Sequence, residues 1–262
     1  MKILLLDGYT LFQEDISWTY LRSFGEVVFH DRTSREDLSA LDKDVDVLIT
    51  NKALVGIPEL EYFKQLKLVV VSATGYNCVD IKACAVAGVP VCNVPGYGTF
   101  SVAQHALSML LHHSNQVAVH DLSVRNGDWS SHLDWTYTLT PIREWHGKSM
   151  GIIGMGNIGS CFAGMAESLG MQIIYHHTRD LQLPNRRFVD LETLAKTADV
   201  ISLHCPLTED TRHLVNATTL GLVMHVLGLD KLSRLELALR DRVLALSRVN
   251  VAHHLQQIMR QQ

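Results

Sequence analysis

The chain has 262 residues, enough for two domains of ordinary size or one large one. Hydrophobic residues make up 47% and charged residues 19%, a balance that fits a packed soluble protein and excludes a disordered one. A net charge of −4 gives no general attraction to nucleic acid or to an anionic membrane, and no apolar run reaches the roughly 18–20 residues that cross a bilayer.

The opening MKILLLDGYT begins like a short signal, but Asp7 and Gly8 cut the apolar run too early for an h-region. Residues 2–6 therefore read as a buried first strand. Further apolar runs at 27–30, 45–50, 68–72 and 89–92 are β-branched or leucine-rich and bounded by turn residues, as strands are. Helical stretches such as 16–24 and 79–87 lie between them, with Gly88 just past a helix end and Pro90 at a strand start. Strands alternating with helices imply parallel pairing and an α/β layer fold. The run NVPGYGT at 93–99 contains one Pro and two Gly, so no regular element crosses it. A long helix is predicted over 101–125, with apolar residues at 102, 103, 106, 107, 109, 110 and 111. These cover much of its circumference, which suggests burial between domains or subunits. Residues 126–141 read as an irregular connection.

A second α/β unit starts at Lys148. SMGIIG reads as a buried strand, 157–169 as a helix, 172–175 as a strand, 191–197 as a short helix and 199–203 as a strand leading into His204-Cys205-Pro206. Residues 229–259 place leucines and valines at helical spacing, with no strand-like run. Cysteines 78, 84, 92, 161 and 205 form no C-x-x-C pair, so reduced thiols in a cytoplasmic protein are the simplest account. There are 14 histidines; His105, His112, His113 and His120 share the long predicted helix, and His176–His177 and His253–His254 are adjacent pairs. None has the spacing of a zinc pattern, so no metal is expected.

The sharpest motif is Gly154-Met155-Gly156-Asn157-Ile158-Gly159. A lone G-x-G-x-x-G is weak, but here it follows an apolar strand, opens a helix and precedes a second strand, the context of a dinucleotide site. Gly154 allows the tight turn, Gly156 lets the backbone approach a pyrophosphate, and Gly159 lets the helix pack closely. The amides of Asn157 and Ile158 then face the phosphates from the positive end of the helix dipole. NAD enzymes place an acid about 20 residues further on, at the second strand's end. This chain has Tyr175-His176-His177-Thr178-Arg179 there, with no acid before Asp180. His176, His177 and Arg179 would tolerate or bind a 2′-phosphate, which favours NADP over NAD.

Five ordered segments resemble the D-isomer specific 2-hydroxyacid dehydrogenases: Ala73-Thr74-Gly75-Tyr76-Asn77 with Val79-Asp80, Val91 to Tyr97, Ser101-Val102-Ala103-Gln104, the GMGNIG loop, and Ala198-Asp199-Val200 with Leu203 to Thr208. Thr50-Asn51-Lys52 is similar to the glycerate dehydrogenase (hydroxypyruvate reductase) branch. The resemblance implies a flavodoxin-like substrate domain at 1–98 and a doubly wound, parallel Rossmann cofactor domain at 99–219. It also implies a small 2-hydroxy or 2-keto acid as substrate and dimerisation through the 101–125 helix. By the same likeness, the backbone at Thr74, Gly75 and Tyr76 meets the substrate carboxylate and the loop at Asn51 and Lys52 lines the pocket. Thr99 then lies near the nicotinamide, and His204, Cys205 and Pro206 border the adenosine. Without the likeness, residues 73–77 read as a strand-to-helix turn needing a flexible Gly75.

The catalytic residues of that family are an Arg in an I-N-x-x-R-G loop, a Glu, and a His in a Pro-His pair, all expected after residue 219. Residues 220–262 contain neither an N-x-x-R-G run nor a Pro-His pair, and read as a non-matching helical tail. No catalytic residue is therefore assigned, and the Rossmann domain is expected to be incomplete. The two accounts are a truncated or frame-shifted dehydrogenase and a variant that binds dinucleotide without turnover. Without the later strands, residues 200–203 are expected to form an exposed apolar edge unless the helical tail or a partner chain covers it.

Overall fold

The computed structural model describes residues 1–11, 17–217 and 219. It forms two compact units, Met1–Tyr97 and a second that starts at Gly98.

The first unit runs β1 (Lys2–Leu5), α1 (Thr19–Arg22), β2 (Glu26–Phe29), β3 (Val47–Thr50), α2 (Ile57–Tyr62), β4 (Leu68–Val71), α3 (Ile81–Val86) and β5 (Val91–Asn93). Its strands pair in parallel in the order β2-β1-β3-β4-β5, the flavodoxin-like order. The continuous leucines of the first strand follow from burial on both faces of the sheet. Ile3 and Leu5 join Val47 on one face, where Trp18 and Leu21 pack. Leu4, Leu6, Leu48, Val69 and Val71 face the other way onto Phe63 and Cys84. The helix expected over 16–24 is limited to Thr19–Arg22, because Gly25, at φ 152°, turns the chain into β2; residue 16 lies outside the described residues. Asp80 caps α3 by accepting the Ala83 N–H at 2.9 Å.

The second unit runs α4 (Thr99–Asn115), α5 (Val117–Arg125), α6 (Asp128–Ser131), β6 (Ser149–Ile153), α7 (Asn157–Ser168), β7 (Gln172–His176), β8 (Arg186–Phe188), α8 (Leu191–Thr197) and β9 (Val200–Leu203). Its sheet is parallel in the order β8-β7-β6-β9, which reproduces the first four strands of the Rossmann order. β8 escapes a sequence reading, since its Arg-Arg-Phe carries no apolar run. On one face of the sheet Ala103, Ala106 and Leu110 pack with Phe162, Ala163 and Ala166. On the other, Leu194 and Ala198 cover Ile153 and Ile174.

Two expectations change here. The single helix over 101–125 is two helices, broken at Gln116, which takes a left-handed φ of 46°; His105, His112 and His113 therefore lie in α4 and His120 in α5. The buried residues of α4, Ala103, Ala106 and Leu110, pack into the unit's own core. Among the described residues β9 does lie at the sheet edge, but its side chains are not exposed. Val200 and Ser202 are buried, and Ile201 and Leu203 are half-buried against Leu194 and Ala198. The tail at 220–262, with His253 and His254, lies outside the described residues.

Candidate functional site

Open α/β sheets bind ligands beyond the carboxyl ends of their strands, where the strand order switches direction. That switch falls between β1 and β3 in the first unit and between β6 and β9 in the second. Most of the sequence motifs lie at these two places.

In the second unit β6 runs into Gly154 at φ +94°, where a Cβ would stand 2.4 Å from the Cys205 nitrogen. Only glycine lets the loops after β6 and β9 meet so closely. Gly159 is as constrained, since a Cβ there would lie 2.1 Å from the Gly154 oxygen. Around Gly156 nothing lies within 4 Å of a Cβ, so space stays open before the first turn of α7. The first i→i−4 bond of that helix is Ser160 N–H to Gly156 O at 2.8 Å. The amides of Asn157 and Ile158 precede it and have no partner among the described residues. Free amides, a positive helix end and the gap that a Cβ would fill together fit a pyrophosphate.

His204 N–H donates to Ile153 O at 2.7 Å, which ties the β9 loop to β6. Its ring turns inward, 5.3 Å from the Phe162 ring, with Nε2 2.8 Å from Ser202 Oγ. Burial pushes its pKa down to about 4, so the ring is neutral at pH 7. The Cys205 thiol is pushed up by burial, and Pro206 is exposed. Toward a ligand, then, residues 204–205 offer chiefly backbone.

At the end of β7, His176 Nδ1 donates to Val189 O at 3.1 Å and the ring stacks on Phe188. Only Nε2 is left for another partner. His177 is half-buried, and Arg179 is exposed with no ion pair among the described residues. Asp180 accepts from the Tyr175 hydroxyl at 2.7 Å and from the Gln182 amide at 2.8 Å, which holds its carboxyl below the usual range. The nearest acid is thus turned to a buried tyrosine and does not stand at the strand end. Thr99 is the first residue of α4.

In the first unit Asn51 and Lys52 directly follow β3, and the Lys52 ammonium has no ion pair among the described residues. Their amides do not face solvent. Asp7, 7% exposed at the end of the first strand, accepts from Asn51 N–H at 2.7 Å, from Ala53 N–H at 2.9 Å and from Lys52 N–H. Sequence reasoning noted Asp7 only as a break in an apolar run, and a short-range pattern cannot reveal contacts over 44 positions and more. Thr74, Gly75 and Tyr76 are exposed beyond β4. Thr74 is pinned from both sides: Asn93 Nδ2 donates to its carbonyl at 2.9 Å, and its Oγ1 donates to Val94 O at 3.0 Å. Gly75 has no left-handed φ, and the nearest atom to a Cβ there is 3.8 Å away, so this turn does not need a flexible glycine. Among the described residues no group of three His, Cys, Asp or Glu side chains is placed to hold a metal ion. No helix among them is long and apolar enough to cross a membrane.

The family model for "D-isomer specific 2-hydroxyacid dehydrogenase, NAD binding domain" matches residues 107–230. A hydroxypyruvate reductase of Blautia hydrogenotrophica is 40% identical over 222 residues, covering 82% of this chain and 69% of that protein. A glycerate dehydrogenase of Methylorubrum extorquens is 30% identical over 219 residues, covering 84% of this chain and 68% of that one. Against a putative 2-hydroxyacid dehydrogenase of Haemophilus influenzae the chain spans 61% of the relative's length. Among solved structures, an NADPH-dependent glyoxylate/hydroxypyruvate reductase of Sinorhizobium meliloti with NADP and malonate superposes with a TM-score of 0.70 at 25% identity, over 85% of this chain and 67% of that one. The second unit is thus an NAD(P)-binding domain, and the chain belongs to the D-isomer specific 2-hydroxyacid dehydrogenases, in the branch of the glycerate dehydrogenases and hydroxypyruvate reductases.

Proposed function

We propose that this chain binds NADP in preference to NAD, and takes as substrate a small 2-hydroxy or 2-keto acid of the glycerate/hydroxypyruvate kind, as an oxidoreductase acting on the CH–OH group. The observation that carries this reading is the glycine loop, where two glycines are sterically obligatory and the third leaves open space before free amides. Residues 99–219 serve the cofactor. Asn157 and Ile158 hold the pyrophosphate, Arg179 with His176 and His177 meets the 2′-phosphate, Thr99 lies near the nicotinamide, and residues 204–206 border the adenosine. Residues 1–98 serve the substrate, with Lys52 and the backbone of Thr74, Gly75 and Tyr76 turned to its carboxylate and Asn51 lining the pocket. The bound nicotinamide supplies or accepts the hydride. Five free thiols support a cytoplasmic setting.

Calorimetric titration with NADPH and NADH tests the site. Wild type is expected to bind NADPH more tightly, and Gly156→Val to lose both while staying folded, because its Cβ meets no protein atom. Equal affinities for wild type and Gly156→Val would reject the loop as the site.

A second reading, dinucleotide binding without turnover, is favoured by one observation: residues 220–262 contain no N-x-x-R-G run and no Pro-His pair. A missing general acid costs about 10²–10⁴ in rate. Loss of absorbance at 340 nm on adding hydroxypyruvate to the protein with NADPH would favour the enzyme, and its absence at high protein concentration the binding module.

A homodimer is part of the same proposal. The exposed apolar residues that support it lie on α4, α5 and the connection that follows: Phe100, Val117, Leu122, Leu133 and Trp135.

A further inference from the structure

We propose that Asp7 is a positioning residue for the substrate pocket, an internal carboxylate that fills the amide nest of the 51–53 loop and so fixes where the substrate anion goes. This rests on the reading of that loop as part of the substrate site.

Three consecutive backbone amides that converge on one point form an anion-binding concavity. In the first unit such a concavity stands at the switch between β1 and β3, where a ligand carboxylate would otherwise be drawn. Asp7 already occupies it. One carboxylate oxygen takes the Asn51 amide at 2.7 Å and the other takes those of Lys52 and Ala53. Hydrogen bonds to an ionised acceptor are about twice as strong as neutral ones, and this carboxylate is buried, with little water to replace them. Other contacts hold the same segment from its carbonyl side, where Thr50 Oγ1 donates to Ala53 O at 2.8 Å and Cys78 Sγ to Asn51 O at 3.6 Å. The segment has no helical or strand bonds of its own, so these contacts set its shape.

The consequence is directional. With the nest filled, an incoming carboxylate finds no free amide at 51–53; the loop offers it only the exposed Lys52 ammonium, and the backbone at 74–76 must supply the rest. Asp7 touches neither substrate nor cofactor and acts through the loop alone.

The test is calorimetric titration of hydroxypyruvate into the NADP⁺-saturated protein, where the oxidised cofactor has no hydride to transfer. Asp7→Ala is expected to weaken hydroxypyruvate binding about tenfold or more, as the loss of the three charge-assisted hydrogen bonds that shape the loop implies, with NADP⁺ affinity unchanged. Formate, a carboxylate small enough for the vacated space, is expected to restore it. Asp7→Asn, nearly isosteric, places an amide NH₂ against at least one N–H donor and is expected to fall between, without rescue. A folded Asp7→Asn or Asp7→Ala variant with wild-type affinity overturns the proposal, as does formate that only competes with hydroxypyruvate in Asp7→Ala. If wild type itself fails to bind hydroxypyruvate, the substrate reading falls and the proposal with it; if only the variants match wild type, the proposal falls alone.

Discussion

At the scale of single residues, His204 ties stability to pH. It is placed by its backbone bond to β6, and its ring is packed on Phe162. Burial holds its pKa at about 4 in the folded chain, below the 6.5 of a free imidazole. A base whose folded pKa is depressed gives stability that is complete above the unfolded pKa and lost as pH falls toward the folded one. Between pH 6.5 and 4 this residue should therefore remove roughly 3 kcal/mol of stability. Denaturant unfolding of wild type and His204→Gln at pH 7 and pH 4 checks the share. The variant should lose less than wild type on acidification, and equal losses would refute it. The glycines of the loop divide in the same physical way. Gly154 and Gly159 are fixed by contacts within the protein, and Gly156 by space that the protein leaves open.

Among the elements, the break between α4 and α5 is the most informative. Residues 101–125 contain no Gly or Pro, so nothing local stops a continuous helix. The chain stops it at Gln116, whose amide donates to His112 O and whose carbonyl accepts from the Val119 amide. His120 then bridges onward: Nδ1 donates to Gln116 O at 3.0 Å, and Nε2 accepts from Leu139 N–H at 3.2 Å. The connection is thereby tied back to α5. A β-branched residue is poorly tolerated in the left-handed region, so Gln116→Ile should cost about 1–2 kcal/mol. A urea midpoint would measure that cost, with Gln116→Gly as the variant expected to show little of it.

For the whole molecule, the exposed apolar residues bear on assembly. Leu133 is 97% and Trp135 87% exposed, in a segment of the second unit that also exposes Trp129 and Leu139. Apolar groups so placed are costly in water, and the proposed dimer would cover them. Sedimentation at micromolar concentration should show a dimer for wild type and monomer for Leu133→Asp/Trp135→Asp, and a wild-type monomer would reject the proposed contact. What the amino-acid order determined alone was the layer fold and the dinucleotide loop. Both are written in short-range patterns: strand runs apolar enough to be buried on two faces, and glycines at fixed offsets between a strand and a helix. The tertiary structure alone decided three other points: that Asp7 closes the 51–53 amides, that Asp180 is turned to Tyr175, and that the His204 ring faces the core. The first depends on which strand ends lie side by side. In a parallel sheet those ends are dozens of residues apart in sequence, so the packing of the sheet, and no local pattern, brings them together.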